Sequence, residues 1–292
     1  MKKVLITGAS GQVGTRLLKL LPKSEYDIFA VTSNPSKTKS QLPIKSIFLD
    51  LLEDEIDPII QKIAPTLLIH LAWETSPITF WDSPKNEKWL EASKDLVRSF
   101  YRHGGEKIVV SGTCAEYDWR GAKPLAETDA EFPQSIYGQA KLDLLNFLRG
   151  QSVPYLWTRT FFQFGDKEPF GRIFSSAIDT ISSGYEFLIR KPEDIRDYIY
   201  VDDVAKIIAS LVLSGEEGVF NVGSGKGITM RELGEKIASS LGRPELIKFQ
   251  NQEGNQSVVV ADTAKMEKAL GGFRGTSLLN AINKTIGVRG AG

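Results

Sequence analysis

The chain has 292 residues, which is enough for one large domain or two modest ones with a well-buried core. Lysine plus arginine and aspartate plus glutamate number 36 each, so the chain lacks the basic field that binds nucleic acid. The single cysteine, Cys114, excludes an intramolecular disulfide and favours a reducing compartment. Since we find no apolar run near the ~20 residues that span a bilayer and no signal peptide, we expect a cytoplasmic protein without a membrane partner.

The first stretch of the chain predicts a phosphate-binding turn. Residues 4–6 are an apolar run typical of a buried strand, and a helical apolar stripe follows over residues 15–21. Between them, glycines allow a tight turn, a close approach of backbone amides to a pyrophosphate and close packing of the helix on the sheet. The residues of this predicted dinucleotide site are Gly8, Ser10, Gly11, Gln12, Val13 and Gly14. An ordinary connection between a strand and a helix is the alternative.

The end of the second predicted strand, residues 27–32, bears on the choice of cofactor. In dinucleotide folds an acidic residue ~20 positions beyond the glycines holds the ribose 2′-hydroxyl. Nineteen residues after Gly14 the chain has Ser33, and Lys37 and Lys39 follow. Because no carboxylate is there to repel a 2′-phosphate, we expect NADP (NADPH) rather than NAD. The alternative is a solvated loop whose lysines face water.

Strands and helices alternate through residue 160. Further strands are predicted at residues 46–49, 66–71, 107–111 and 154–158, and helices at 53–63, 86–103 and 135–149. Asp50 is a candidate cap of the helix 53–63, and His70, inside an apolar strand, is expected to be a core histidine. The loop that begins with Leu71, Ala72 and Trp73 follows a strand, at the edge where open α/β sheets bind ligands. This alternation predicts an α/β fold with a Rossmann-type doubly wound parallel sheet over residues 1–160.

Beyond residue 160 the pattern loosens into shorter elements. Helices are predicted at 171–183, 202–213, 229–241 and 263–270, and short strands near 187–189, 198–200 and 219–222. We interpret residues 161–292 as a smaller C-terminal α/β substrate domain, with some segments returning to the main sheet.

Tyr137 and Lys141 are a candidate acid/base pair. Positions four apart share one face of a helix, so the phenol and the ammonium project together. A nearby ammonium is expected to lower the pKa of the phenol from its usual ~10. Such a tyrosine can exchange a proton with a substrate oxygen near neutral pH. The alternative is a surface pair.

Together these stretches resemble the extended short-chain dehydrogenase/reductases, in their nucleotide-sugar epimerase, dehydratase and ketoreductase branch, over nearly the whole chain. The motifs are the opening glycine turn, Ser111-Gly112-Thr113 with Tyr117, Tyr137-x-x-x-Lys141, and the segment from Arg196 to Val204. The resemblance implies that Thr113 hydrogen-bonds the reacting oxygen, that Tyr137 is the acid/base and that Lys141 also holds the nicotinamide ribose. It also implies adenine contacts from Asp50 and Leu51 and a homodimer built on the helix 86–103 and the Tyr137 helix. The substrate contacts that we predict are those of Trp73, Thr113, Arg172 and Arg196, and no metal is expected.

Departures from the branch narrow the reaction. Members that eliminate water carry Asp and Glu directly after the catalytic threonine, where this chain has Cys114 and Ala115. Members that epimerise beside a 4-keto group use a cysteine two residues after the catalytic hydroxyl and a later histidine, and this chain has no histidine after His103. The reaction that remains is hydride transfer at one carbon. It is either a net ketoreduction, or the oxidation and re-reduction that a C-4 epimerase carries out.

The sequence favours the reductase. A reductase consumes NADPH, which Ser33 and the lysines suit, and the segment with Trp73, Phe80-Trp81 and Asn86 looks like 4-ketoreductases of deoxysugar nucleotides. We therefore predict an NADPH-dependent reductase of a nucleotide-linked 4-keto-6-deoxysugar, with the hydride from the nicotinamide and the proton from Tyr137. The alternatives are a nucleotide-sugar C-4 epimerase with bound NAD, a reductase of another small carbonyl compound, and a non-catalytic NADP-binding module.

Overall fold

The structure is a computed structural model that describes residues 1–33, 44–74, 76–151, 153–166, 168–250 and 256–290. The strands are β1 (Lys2–Thr7), β2 (Tyr26–Thr32), β3 (Lys45–Phe48), β4 (Leu67–His70), β5 (Lys107–Thr113), β6 (Tyr155–Thr160), β7 (Phe162–Phe164), β8 (Phe187–Ile189), β9 (Ile195–Tyr200), β10 (Gly218–Val222), β11 (Gly227–Thr229), β12 (Ile247–Phe249) and β13 (Val258–Val259). The helices are α1 (Gln12–Leu20), α2 (Asp57–Ile63), α3 (Lys85–Arg102), α4 (Ile136–Arg149), α5 (Ile173–Ser182), α6 (Val201–Leu213), α7 (Met230–Ser240), α8 (Ala264–Ala269) and α9 (Leu278–Gly290).

Seven parallel strands form the main sheet in the order β10-β6-β5-β4-β1-β2-β3. The strand order reverses between β1 and β4, and a crevice at such a reversal is where open sheets bind dinucleotides. Helices cover both faces, which is why the central strands are apolar on both sides: Val4, Leu5 and Ile6 are all fully buried. The predicted Rossmann-type doubly wound sheet is confirmed.

Two apolar layers flank the sheet. On one face α1 packs against α6, and Leu17, Val204 and Ile208 share a cluster with Val4 of β1. On the other face α2, α3 and α4 pack over the strands, and Leu96 and Phe100 of α3 are buried there. These two apolar cores hold the helices against the sheet, and so they fix the starts of the helices relative to the carboxyl ends of the strands.

The remaining elements form smaller sheets beside the carboxyl edge of the main one. Strand β9 pairs with β7 and β13 in parallel and with β11 antiparallel, and β8 pairs with β12. Helices α5, α7 and α9 surround a third apolar cluster. The sequence did not predict β7, β11, β12 or β13, because strands of two or three residues are too short to show alternation. It also did not predict α9. The division into domains at residue 160 stays a prediction. In the structure β10 is a strand of the main sheet, and α6 packs against one face of that sheet.

The predicted start of the helix 53–63 is wrong. The helix begins at Asp57, with Pro58 in its first turn, where a fixed φ is favourable. Asp50 therefore caps its own turn and not this helix: its Oδ1 accepts a hydrogen bond from the backbone N–H of Leu52 at 3.0 Å. Within the described ranges, no helix is both long enough and apolar enough to cross a membrane.

Candidate active site

A cleft of about 980 Å³ lies at the carboxyl edge of the sheet. Its lining includes these predicted cofactor residues: Gly8, Ser10, Gly11, Gln12, Val13, Gly14, Ser33, Asp50, Leu51, Leu71, Ala72, Tyr137 and Lys141. The predicted substrate residues Trp73, Thr113 and Arg172 line the same cleft. Lys37 and Lys39 lie outside the described residues.

The glycine turn brings three segments together under the cleft. Gly8 has φ of +66°, in the left-handed region, and a Cβ there would lie 2.7 Å from the backbone nitrogen of Ala72. A Cβ on Gly14 would lie 2.3 Å from the carbonyl oxygen of Gly8. Helix α1 begins after Gly11 without a side-chain cap among the described residues, so its first N–H groups open onto the cleft. This turn and this uncapped helix N-terminus fit the pyrophosphate of a dinucleotide.

The histidine near this turn is structural. His70 is buried, with Nδ1 2.7 Å from the hydroxyl of Thr7 and Nε2 2.9 Å from the hydroxyl of Ser93. Burial, with the nearby charge of Lys141, lowers the pKa of the imidazole to about 3, so the ring is neutral near pH 7. The prediction of a core histidine is confirmed.

Thr113, Tyr137 and Lys141 meet at the inner end of the cleft. Thr113 ends β5, and Tyr137 lies in the first turn of α4, which Ser135 caps through a 3.0 Å bond from the N–H of Gly138. Lys141 lies one turn further along α4. The three side chains are almost completely buried but line the cleft, where a substrate can reach them.

The expected lowering of the Tyr137 pKa by Lys141 is wrong. Burial raises the pKa of the phenol, and a hydrogen bond with Thr113 opposes this only in part. The ammonium of Lys141 is occupied elsewhere: Nζ donates to the carbonyl oxygen of Ser111 at 2.9 Å and lies 3.8 Å from the centre of the Trp73 ring. Burial also lowers the pKa of Lys141 to about 7.

A buried charge pair lies beneath Thr113, and the sequence reasoning missed it. Glu116 is fully buried and accepts hydrogen bonds from the N–H of Thr113 at 2.7 Å and from Nε of Arg159 at 2.7 Å. Arg159 is fully buried as well, and its guanidinium also contacts Glu131. The sequence held a signal for Glu116 but not for its pairing with Arg159: Thr113-x-x-Glu116 is the pattern of a capping box, and both bonds of that box form in the short 3₁₀ turn Cys114–Glu116.

Aromatic side chains surround the Tyr137 phenol. The ring centres of Phe80, Trp81 and Trp73 lie 5.0, 5.8 and 6.4 Å from that of Tyr137. The backbone N–H of Tyr137 also donates to the carbonyl oxygen of Trp81 at 2.9 Å, which ties the loop to the helix start. Arg172 stands at the same wall, with its guanidinium 5.2 Å from the centre of the Phe80 ring. The site therefore has an aromatic wall beside the phenol, and the positive charge of Arg172 lies against that wall.

The positions that follow Thr113 hold no acid that could remove water from a sugar. Cys114 is buried, and burial raises the pKa of its thiol, while Ala115 has no titratable group. The neighbouring carboxylate, Glu116, is taken up by the bonds described above.

Arg196 lies beside the cleft, and its contact with substrate stays a prediction. Its guanidinium bonds the carboxylate of Asp194 at 2.8 Å and the carbonyl oxygen of Ser257 at 2.8 Å. It also lies 5.7 Å from the ring centre of Phe162, which lines the cleft, whereas Arg196 does not.

Comparisons with known proteins agree with this geometry. The sequence profile of the NAD dependent epimerase/dehydratase family matches residues 4–223. A dTDP-4-dehydro-6-deoxyglucose reductase from Escherichia coli is 27% identical over 309 residues, covering 97% of this chain and 96% of that protein. A UDP-glucose 4-epimerase from Halalkalibacterium halodurans is 24% identical over 304 residues, covering 92% of this chain and 89% of that protein.

Solved structures share the whole fold. A UDP-glucose 4-epimerase from Thermotoga maritima, solved with UDP-glucose, superposes with a TM-score of 0.86 at 24% identity and 99% coverage of both chains. Other structures of this fold were solved with NAD. The protein thus belongs to the NAD dependent epimerase/dehydratase family of extended short-chain dehydrogenase/reductases, which are NAD(P)-dependent oxidoreductases and epimerases of nucleotide sugars.

Proposed function

We propose that the protein is an NADPH-dependent reductase of a nucleotide-linked 4-keto-6-deoxysugar. One observation carries the proposal: Thr113, Tyr137 and Lys141 line one cleft with the glycine turn, while residues 114 and 115 offer no acid or base for eliminating water. The reductase from Escherichia coli named above, a full-length relative, supports the same substrate class.

The chain's own residues supply the proton and the orientation. The nicotinamide, when bound, supplies the hydride. Tyr137 holds its proton because burial raises the pKa of the phenol, and the hydroxyl can donate that proton to the ketone oxygen. The hydroxyl of Thr113 donates a hydrogen bond to the same oxygen and stabilises the negative charge that develops there. Lys141 lines the same cleft, and it is the candidate contact for the nicotinamide ribose.

The aromatic wall suits a deoxysugar. Phe80 and Trp81 shield the phenol from water and present an apolar surface beside the reacting carbon. A sugar with a methyl group at C6 can bury that group there at a gain of ~0.8 kcal/mol per carbon, whereas a hydroxymethyl group would lose its hydrogen bonds to water. Arg172, at the same wall, is a candidate contact for the nucleotide phosphates.

The preference for NADPH is part of the proposal. It rests on Ser33, which is exposed at the end of β2 where NAD-specific folds have a carboxylate. NAD is the competing cofactor, because structures of the same fold were solved with it. Parallel kinetics with NADPH and NADH measure the preference, and equal efficiency with both would refute it.

The test of the reaction is an assay of the purified protein with NADPH and a panel of nucleotide 4-keto-6-deoxysugars. We expect stoichiometric oxidation of the cofactor and transfer of its label to the sugar carbon. A C-4 epimerase is the second candidate, because the 24%-identical relative is an epimerase. Product formation without net cofactor oxidation, with NAD copurifying, would replace the reductase by the epimerase. Cofactor binding without any turnover would indicate a non-catalytic binding module.

A homodimer stays a prediction, but the helix face that we expected to form it is not free. Leu96 and Phe100 of α3 are fully buried in the chain's own core, and Trp89 packs on Trp73. A pairing through α3 would therefore use other side chains of that helix. Light scattering at micromolar concentrations decides between one chain of 32.3 kDa and two.

A further inference from the structure

We propose that Trp73 is a positioning residue for Lys141, and that its indole face is the surface on which the catalytic ammonium rests. Sequence reasoning assigned Trp73 to substrate binding. The geometry points instead to a role in which Trp73 acts through Lys141. Only the expected effect on turnover rests on the proposed function.

The contact between the two side chains is close. The Nζ atom of Lys141 lies 3.8 Å from the centre of the Trp73 ring, well within the ~6 Å at which a cation is attracted by an aromatic face. A hydrogen bond of 2.9 Å to the carbonyl oxygen of Ser111 also holds the ammonium. Lys141 therefore contacts both a strand end and an aromatic face.

The ring itself is held in place. Nε1 of Trp73 donates to Oδ1 of Asn86 at 2.8 Å, and Asn86 is buried, with its Nδ2 donating to the carbonyl oxygen of Phe80 at 2.7 Å. Trp89 of α3 also stacks on Trp73, with ring centres 6.0 Å apart. A half-buried indole with a hydrogen-bonded edge and a stacked neighbour has little freedom to leave the ammonium.

The ring matters because burial disfavours the charged lysine. Lys141 is 3% exposed, and desolvation brings its pKa down to about 7, where small changes alter the fraction that is protonated. Of the groups around it, Glu116 favours the charged form, while His70 and Tyr137 are neutral at that pH. The further charged groups that line the cleft are Glu74 and Lys85, paired at 3.5 Å, together with Asp50 and Arg172. Trp73 thus stabilises the positive charge of Lys141, which desolvation disfavours.

The test is a titration of Lys141 in the cofactor-free full-length protein, followed by the ¹³Cε NMR signal of labelled lysine and assigned with Lys141→Met. Trp73→Leu should lower the pKa of Lys141 by about one unit, a tenfold change in its protonation constant. Trp73→Phe keeps an aromatic face and should restore most of the shift. Trp81→Leu is the matched control, because Trp81 also packs on Tyr137 while the ammonium of Lys141 lies over Trp73, and it should leave this pKa unchanged.

A second measurement does not depend on how the leucine variant folds. Tryptophans with one, two or more fluorine atoms keep the shape of the ring and weaken its negative face, so their incorporation should lower the pKa of Lys141 step by step. An unchanged titration in Trp73→Leu or across the fluorinated series, or an equal shift in Trp81→Leu, would overturn the proposal.

Kinetics separate this role from substrate binding. If Trp73 acts through Lys141, Trp73→Leu displaces the pH profile of kcat; if Trp73 only touches the sugar, KM rises and the profile stays in place. The NMR titration uses no substrate, so its outcome is independent of whether the enzyme proves to be a reductase or an epimerase.

Discussion

Replacing Glu116 by glutamine tests the charge pair beneath Thr113. One carboxylate oxygen accepts from the N–H of Thr113 at 2.7 Å, and the other accepts from Nε of Arg159 at 2.7 Å. Glutamine keeps the shape but carries one oxygen and one NH₂ group. Whichever way the amide is turned, an N–H group faces an N–H group, of Thr113 or of Arg159, and Arg159 loses the counter-charge.

The expected cost follows from the burial of both partners. Removing one member of a buried ion pair destabilises a protein by ~3–5 kcal/mol, because the other charge is left without compensation. Arg159 keeps its contact with Glu131, whose side chain is 22% exposed, so the cost should be at the lower end, about 3 kcal/mol. That is a large part of the free energy of unfolding of most domains, which is ~5–15 kcal/mol.

Urea unfolding followed by tryptophan fluorescence measures this cost. The midpoint should fall while the m-value stays the same, since the surface exposed on unfolding does not change. Glu131→Gln is the control: it leaves the Glu116 pair intact and should cost no more than about 1 kcal/mol. A loss of less than about 1 kcal/mol for Glu116→Gln, or equal losses for both variants, would show that the pair does not hold Thr113 in place.

Three further outcomes are expected. Tyr137→Phe should lower kcat by ~10²–10⁴ while titration still shows NADPH binding, and a fully active variant would refute the acid role. Ser33→Asp should shift the preference toward NADH, because a carboxylate repels a 2′-phosphate; unchanged kinetics with both cofactors would contradict this. The pKa of His70 falls from 6.5 to about 3 on folding, so the unfolded chain binds the extra proton between these values and stability is lost as pH falls through them. The loss should approach ~1.4 kcal/mol per pH unit in urea titrations, and His70→Gln should flatten it; an equally steep dependence in the variant would assign it to other groups.

The local parts of the site could be predicted from the sequence. The turn from Gly8 to Gly14 is recognisable because its strand, glycines and helix are contiguous, and Tyr137 and Lys141 share a helix face because they are four residues apart. The parallel sheet could be predicted for the same reason, from strands and helices that alternate along the chain.

Contacts between distant segments could not be predicted. Glu116 and Arg159 are 43 positions apart and meet because β5 and β6 are neighbours in the sheet. The pKa of Tyr137 was predicted in the wrong direction because burial, to which the loop around Trp81 contributes, outweighs the hydrogen bond with Thr113, and no periodicity indicates that loop. Sequence spacing sets which side chains share a helix face, but the desolvation of those side chains depends on loops whose positions are set by the tertiary fold.

The return of β10 to the main sheet limits how this chain can be recombined with its relatives. A chimaera joined at residue 160 would exchange the strand that pairs with the β6 edge, together with the helix α6 that covers α1. Both sides of that junction would then have to match at a core formed by Val204, Ile207, Ile208 and Leu17. Residues 201–222 belong with the N-terminal part in any such exchange, so specificity would have to be transplanted as two inserts, residues 161–200 and the segment after 222, on one retained scaffold.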